Sequence, residues 1–105
     1  MILEAAMLHV KPQTGPEFEG AFRDASSIIA SMEGYLSHEL HRCLEVEGQY
    51  LLLVRWRTLE DHTIGFRGSA GYGRWRALLH HFYEPFPVVE HFEEVNLSPA
   101  GTGAG

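Results

Sequence analysis

The segment Gln49–Trp75, QYLLLVRWRTLEDHTIGFRGSAGYGRW, sets the frame for the rest of the chain. Tyr50 to Trp56 is a nearly continuous apolar run of strand length, as expected for a strand covered on both faces. Thr58 follows, with Asp61 three positions on. That spacing lets each side chain take the other's backbone N–H and so open a short helix. The helix is expected to end at Phe66. Gly68 and Ser69 then restart the chain. Tyr72, Trp75, Leu79 and Phe82 recur at helical spacing until Pro85 and Pro87 end the run.

Working outward, Ile2 to Lys11 is a strand candidate with apolar residues on both faces apart from Glu4 and His9. Lys11-Pro12-Gln13 breaks it. Thr14-Gly15-Pro16-Glu17 has the capping-box spacing, and Phe18, Ala21, Phe22, Ala25, Ile28, Ile29 and Met32 follow at helical intervals. Gly34 is suited to a left-handed helix terminator. Tyr35 to Leu44 alternates as a strand, with Leu36, His38, Leu40, Arg42 and Leu44 on one face. Glu45 to Gly48 makes a hairpin turn, and Val88 to Val95 is the last strand. The order β-α-β-β-α-β predicts an α+β, ferredoxin-like domain: a four-stranded antiparallel sheet with helices on one face. Residues 1–95 form that domain, and 96–105 are expected to be a flexible C-terminal tail without a site. The first and third strands are apolar on both faces, which would leave a sticky sheet surface. A second copy packed sheet to sheet would cover it, so a homodimer is expected.

The chain of 105 residues has a net charge of −6, with seven arginines against Lys11 alone. Nucleic acid and anionic membrane both call for a cationic surface, so neither is an expected partner. No apolar stretch approaches the roughly 20 residues of a membrane helix. The N-terminus carries Glu4 in its first apolar run and has no basic lead, so the expected location is cytoplasmic. Cys43 is the single cysteine. It has no internal disulfide partner, and a packing role within the second strand is expected. Seven histidines are present, but His38 and His41 fall on opposite faces of a strand, and His80 and His81 diverge by about 100° on a helix. No metal site is expected.

Phe22, Gly34, Trp56, Glu60, Phe66, Ser69 and Tyr72 together resemble the pattern of the antibiotic biosynthesis monooxygenase domain family, over roughly residues 2 to 95. The resemblance implies a dimeric α/β barrel with a pocket between the sheet and helices of each subunit. It further implies a cofactor-independent monooxygenase for a small aromatic or quinone-type substrate, of the kind that oxygenates polycyclic phenols to quinones, since an electron-rich phenolate can pass an electron to O₂ directly. No cofactor is then expected. Such chemistry needs a dry aromatic pocket, a base and a donor for the developing oxyanion. Arg76, Tyr72 and His62 are the catalytic candidates. Trp56, Phe66, Trp75 and His80 are the substrate-binding candidates, with Arg74 as a further polar group.

Two other chemistries occur on this architecture. A haem-degrading branch uses an Asn, a Trp and a ligating His where this chain has Ala6, Phe66 and Arg76, although His80 and His81 lie one turn further on. Isomerisation or dehydration of a small lactone or aldehyde would need a positioned His or carboxylate, for which His9, His38, His91, Glu39 and Glu93 are candidates. A non-catalytic dimer that binds a small hydrophobic ligand is the alternative to an enzyme.

Overall fold

The computed structural model describes residues 1–99. Its elements are β1 (Ile2–His9), α1 (Gly15–Ala30), β2 (Tyr35–Arg42), β3 (Gln49–Trp56), a π-helical turn (Asp61–Phe66), α2 (Ala70–Leu79), a 3₁₀ turn (His80–Phe82) and β4 (Val89–Phe92). The four strands form one antiparallel sheet in the order β2-β3-β1-β4. This is the ferredoxin-like arrangement the element order predicts.

Strand alternation decides which residues face the helices. Ala6 and Leu8 of β1 and Tyr50, Leu52, Val54 and Trp56 of β3 are buried on the inner face. Helix α1 meets them with Phe18, Phe22, Ala25 and Ile29, one stripe at helical spacing. Trp75 and Leu79 of α2 complete the core with Phe66. Phe18 is fully buried and stacks at an angle on Tyr50 with ring centroids 4.9 Å apart. Burying each such side chain stabilises the fold by about 1.5–3 kcal/mol.

The local signals were realised unevenly. At Thr58 the capping box forms: the Asp61 N–H donates to Thr58 Oγ1, and the Thr58 N–H donates to Asp61 Oδ2, both at 3.2 Å. At Thr14 it does not. The Thr14 backbone is not extended and its side chain caps no helix N–H; the hydroxyl donates instead to the Lys11 carbonyl at 2.7 Å. Ser69 caps α2 by accepting from the Tyr72 N–H at 3.2 Å.

Strand β2 keeps the predicted parity only in part. His38, Leu40 and Arg42 lie opposite Val54, Leu52 and Tyr50, on the inner face. A bulge between Tyr35 and Ser37 shifts the register, so Tyr35 turns in against Trp56 and Leu36 turns out. The strand stops at Arg42. Cys43 therefore sits in the turn, not in a strand, and its sulfur accepts from the Val46 N–H at 3.3 Å. Strand β4 is shorter than the alternation suggests, because only Val89–Phe92 find partners on β1. Residues 96–99 lie beyond β4 in no regular element, and the rest of the expected tail lies outside the described residues.

Among the described residues, no helix covers the outer sheet face. Leu3, Ala5 and Met7 of β1 pair with Arg55, Leu53 and Leu51 of β3 across it. Phe92 lies beside Leu3, and Arg55 ties to Glu39 at 2.7 Å.

Candidate functional site

Glu4 is the acid in an otherwise apolar inward-facing row, and the fold buries it to 6% exposure. Directly across the β1–β4 ladder from it stands His91. The π-helical turn supplies the third member. Its wider winding, in which the Arg67 N–H reaches back five residues to the His62 carbonyl at 3.2 Å, sends His62 into the interior at 3% exposure. Such widened turns recur at functional sites.

The three side chains and Trp56 form one connected set. Trp56 Nε1–H donates to Glu4 Oε1 at 2.9 Å. His62 Nε2 lies 3.4 Å from the same oxygen, and His62 Nδ1 lies 2.8 Å from His91 Nε2. The His62 ring also stacks on Trp56, with centroids 5.4 Å apart. Glu4 Oε2 has no hydrogen-bond partner among the described residues, yet it is not sealed from solvent. Glu4 and His62 line a cavity of about 280 Å³ with Arg67, Tyr72, His80 and Tyr83. Ala6, Leu8, Leu52, Val89 and Phe86 give that cavity apolar walls.

Burial sets the electrostatics. It raises the Glu4 carboxyl above the ordinary carboxylate value, against the opposing pull of the Trp56 hydrogen bond and the Arg67 charge. It lowers His62 to about 3, helped by Arg67 and His91, so the imidazole is neutral near neutral pH. His91 is lowered by burial and then by Arg67. His80 is lowered by burial and then by Arg76, and burial holds the Tyr83 hydroxyl protonated well above the usual range for tyrosine. A carboxyl that is more basic than usual thus sits beside neutral imidazoles, with one guanidinium at the cavity edge. Such a set can take up a proton and stabilise an anion.

The sequence-predicted residues fall into three groups. His62, Tyr72 and His80 meet at this cavity. Trp56, Phe66 and Trp75 are core residues at 5% exposure or less and do not line it; Trp56 acts on it by holding Glu4. Arg74 and Arg76 lie on the exposed face of α2, Arg76 with its guanidinium carbon 6.0 Å from the Tyr72 ring centroid. Glu4 and Arg67 were not among the candidates, and His91 was considered only for the isomerase chemistry. The parity of Glu4 with Ala6 and Leu8 is the signal that could have found the acid.

A larger groove of about 530 Å³ runs between α1 and β2, lined in part by Glu19, Arg23, His38, His41 and Arg42. Four of its charged or titratable side chains pair within the groove: Arg42 with Glu19 at 2.7 Å and His41 with Glu39 at 2.7 Å. His38 is held between Tyr35 and Ser26. It is an open surface with no buried ionisable set, and the smaller cavity is the better site. Among the described residues no group of three or more His, Cys, Asp or Glu side chains could hold a metal ion, and no helix is long and apolar enough to cross a membrane.

Comparison with known proteins agrees with the fold. Residues 1–78 match the family model described as antibiotic biosynthesis monooxygenase. An uncharacterized protein of Bacillus subtilis (strain 168), YczJ, is 60% identical over 95 residues, covering 90% of this chain and all of that one. The crystal structure of a Bordetella bronchiseptica protein named for the same family superposes with a TM-score of 0.87 at 32% identity, over 90% of this chain and 97% of that one. SnoaB, a cofactor-independent oxygenase from Streptomyces nogalater, superposes with a TM-score of 0.75 at 18% identity, over 93% and 96% of the two chains. At that identity the likeness is one of fold.

Proposed function

The chain belongs to the antibiotic biosynthesis monooxygenase family, and from that premise we propose that its cavity oxygenates a small phenol with O₂, without an added cofactor. The observation that carries this reading is the buried Glu4 carboxyl, which lines an apolar-walled cavity together with Arg67. Glu4 takes the phenol proton, and Arg67 stabilises the phenolate. The phenolate then gives an electron to O₂, and the two radicals join at a ring carbon bearing hydrogen. Loss of that carbon's proton and cleavage of the O–O bond give a quinone and one water. One phenol and one O₂ thus balance one quinone and one water, the substrate supplying all the electrons.

Size supports the substrate class. At about 280 Å³ the cavity lies at the lower edge of the roughly 300–1,000 Å³ typical of ligand sites. A one- or two-ring phenol suits it better than a haem or a four-ring polyketide. Tyr72 and His80 stand where they can touch such a ring.

The test is O₂ consumption by purified protein with a panel of naphthols and hydroxylated benzenes. Saturable uptake with quinone formation is the expected result, and Glu4→Gln should lower the rate by about 10²-fold or more. Saturable ligand binding without O₂ uptake would replace the oxygenase with a binding protein for small hydrophobic molecules.

The same reading includes a homodimer. Met7, at 40% exposure, and Phe92, at 49%, lie with Leu51 and Leu53 on the helix-free sheet face, and a second copy would cover them. Sedimentation at micromolar concentration should give twice the chain mass, and Leu53→Asp should give a monomer. A monomeric mass for the parent chain would remove the dimer.

A further inference from the structure

Resting on the oxygenase reading, we propose that Glu4, His62 and His91 form a proton relay, which carries the proton Glu4 takes in the cavity out to His91 at the sheet edge. The chemistry asks for one. A single base must act twice per turnover, first on the phenol hydroxyl and then on the ring C–H. Between those steps the first proton has to leave a carboxyl that is 6% exposed. The oxygen that departs as water takes its protons from the solvent side of the cavity.

The geometry supplies the route. Glu4 Oε1, His62 Nε2, His62 Nδ1 and His91 Nε2 lie in sequence, with gaps of 3.4 Å and 2.8 Å. In one arrangement His91 Nε2–H donates to His62 Nδ1, and His62 Nε2–H donates to the Glu4 carboxylate. In the other, protonated Glu4 donates to His62 Nε2, and His62 Nδ1–H donates to His91 Nε2. Passing from the second to the first moves one proton from Glu4 through His62 to His91 without making a buried imidazolium at His62, and His91 gives up its Nδ1 proton to solvent. His62 could not relay by charging, since burial disfavours its cation. His91 is the natural exit. It stands on β4, an edge strand of the sheet, and is only partly buried. Arg67 acts on all three groups and disfavours a stranded positive charge anywhere along the line. Tyr72, His80 and Tyr83 face Glu4 across the cavity. A packing role alone would not call for three ionisable groups, each of which costs desolvation to bury.

Two measurements decide the matter. The first is turnover of His91→Ala and His91→Gln with the best phenol. Loss of the relay should slow both by roughly 10-fold or more, and millimolar imidazole should restore His91→Ala by replacing the missing exit. Equal rates in variant and parent, or a loss that imidazole does not restore, would overturn the relay; the latter would mark His91 as a packing residue. The second needs no substrate. In ¹⁵N spectra of the imidazoles, His62 and His91 should exchange donor and acceptor nitrogens together as Glu4 is protonated, and Glu4→Gln should abolish the joint change. Rings that titrate independently would also overturn it. If the rings switch together but no phenol drives O₂ uptake, the relay stands and the oxygenase reading falls.

Discussion

Acid should destabilise this protein through His62 in particular, and by an amount the structure lets one work out. The folded imidazole is lowered to about 3 from an ordinary value of 6.5. A depressed folded value means that the full stability is present above 6.5 and is lost as pH falls towards 3, because the unfolded chain takes up a proton that the folded chain refuses. Between about pH 7 and about pH 4 the linkage relation gives a loss of about 3 kcal/mol from this one group. Glu4 works in the opposite direction. Its raised value means that protonation relieves a buried charge, so it adds stability as the pH falls through that raised value. The clean measurement is therefore a difference. Urea unfolding followed by tryptophan fluorescence, at fixed protein concentration because association would add to stability, is run at both pH values on the parent and on His62→Gln. The parent should lose about 3 kcal/mol more than the variant over that range. The same pH dependence in both would refute the claim that His62 is held neutral by burial.

Three further outcomes follow from individual contacts. Gly34 has φ +81°, and a Cβ there would lie 2.1 Å from the Asp61 carboxyl; Gly34→Ala should cost about 2 kcal/mol or more in chemical unfolding, the sum of left-handed strain and a displaced cap. Trp56→Phe removes the donor to Glu4 Oε1, so the Glu4 carboxyl, followed by ¹³C chemical shift, should titrate at a still higher pH than in the parent. Arg67→Ala and Arg76→Ala, measured side by side, should separate the cavity-lining guanidinium from the exposed one: the larger rise in KM for an acidic phenol falls at Arg67.

Much of the fold was legible because it rests on local or periodic signals. The apolar run of β3, the stripe of α1 and the Thr58–Asp61 cap each depend on residues close in sequence. Thr14 misled because the same spacing was followed by Gly15 and Pro16, and the backbone entered the helix without the extended turn a capping side chain needs. The bulge in β2 was illegible, since an inserted residue leaves no mark on composition and only the pairing with β3 reveals it. The site was half legible. Tyr72, His62 and His80 stand out as polar or aromatic groups near the motif, and Glu4 is visible through strand parity. Its meeting with His62 depends on a π-helical winding that 3.6-residue periodicity does not encode. Its meeting with His91 joins the two edges of the chain, 87 positions apart, through a strand ladder.

Strand β1 shows how little room evolution has here. Its even positions present Glu4 to the cavity while its odd positions, Leu3, Ala5 and Met7, furnish the opposite surface. Substitutions can tune either side independently. A single inserted or deleted residue cannot, because every side chain beyond it would change sides: the acid would leave the cavity for the outer surface as leucine and alanine took its place. Lineages of this chain should therefore diverge in β1 by replacement, at constant length, while gains and losses of residues accumulate in the turn between β2 and β3.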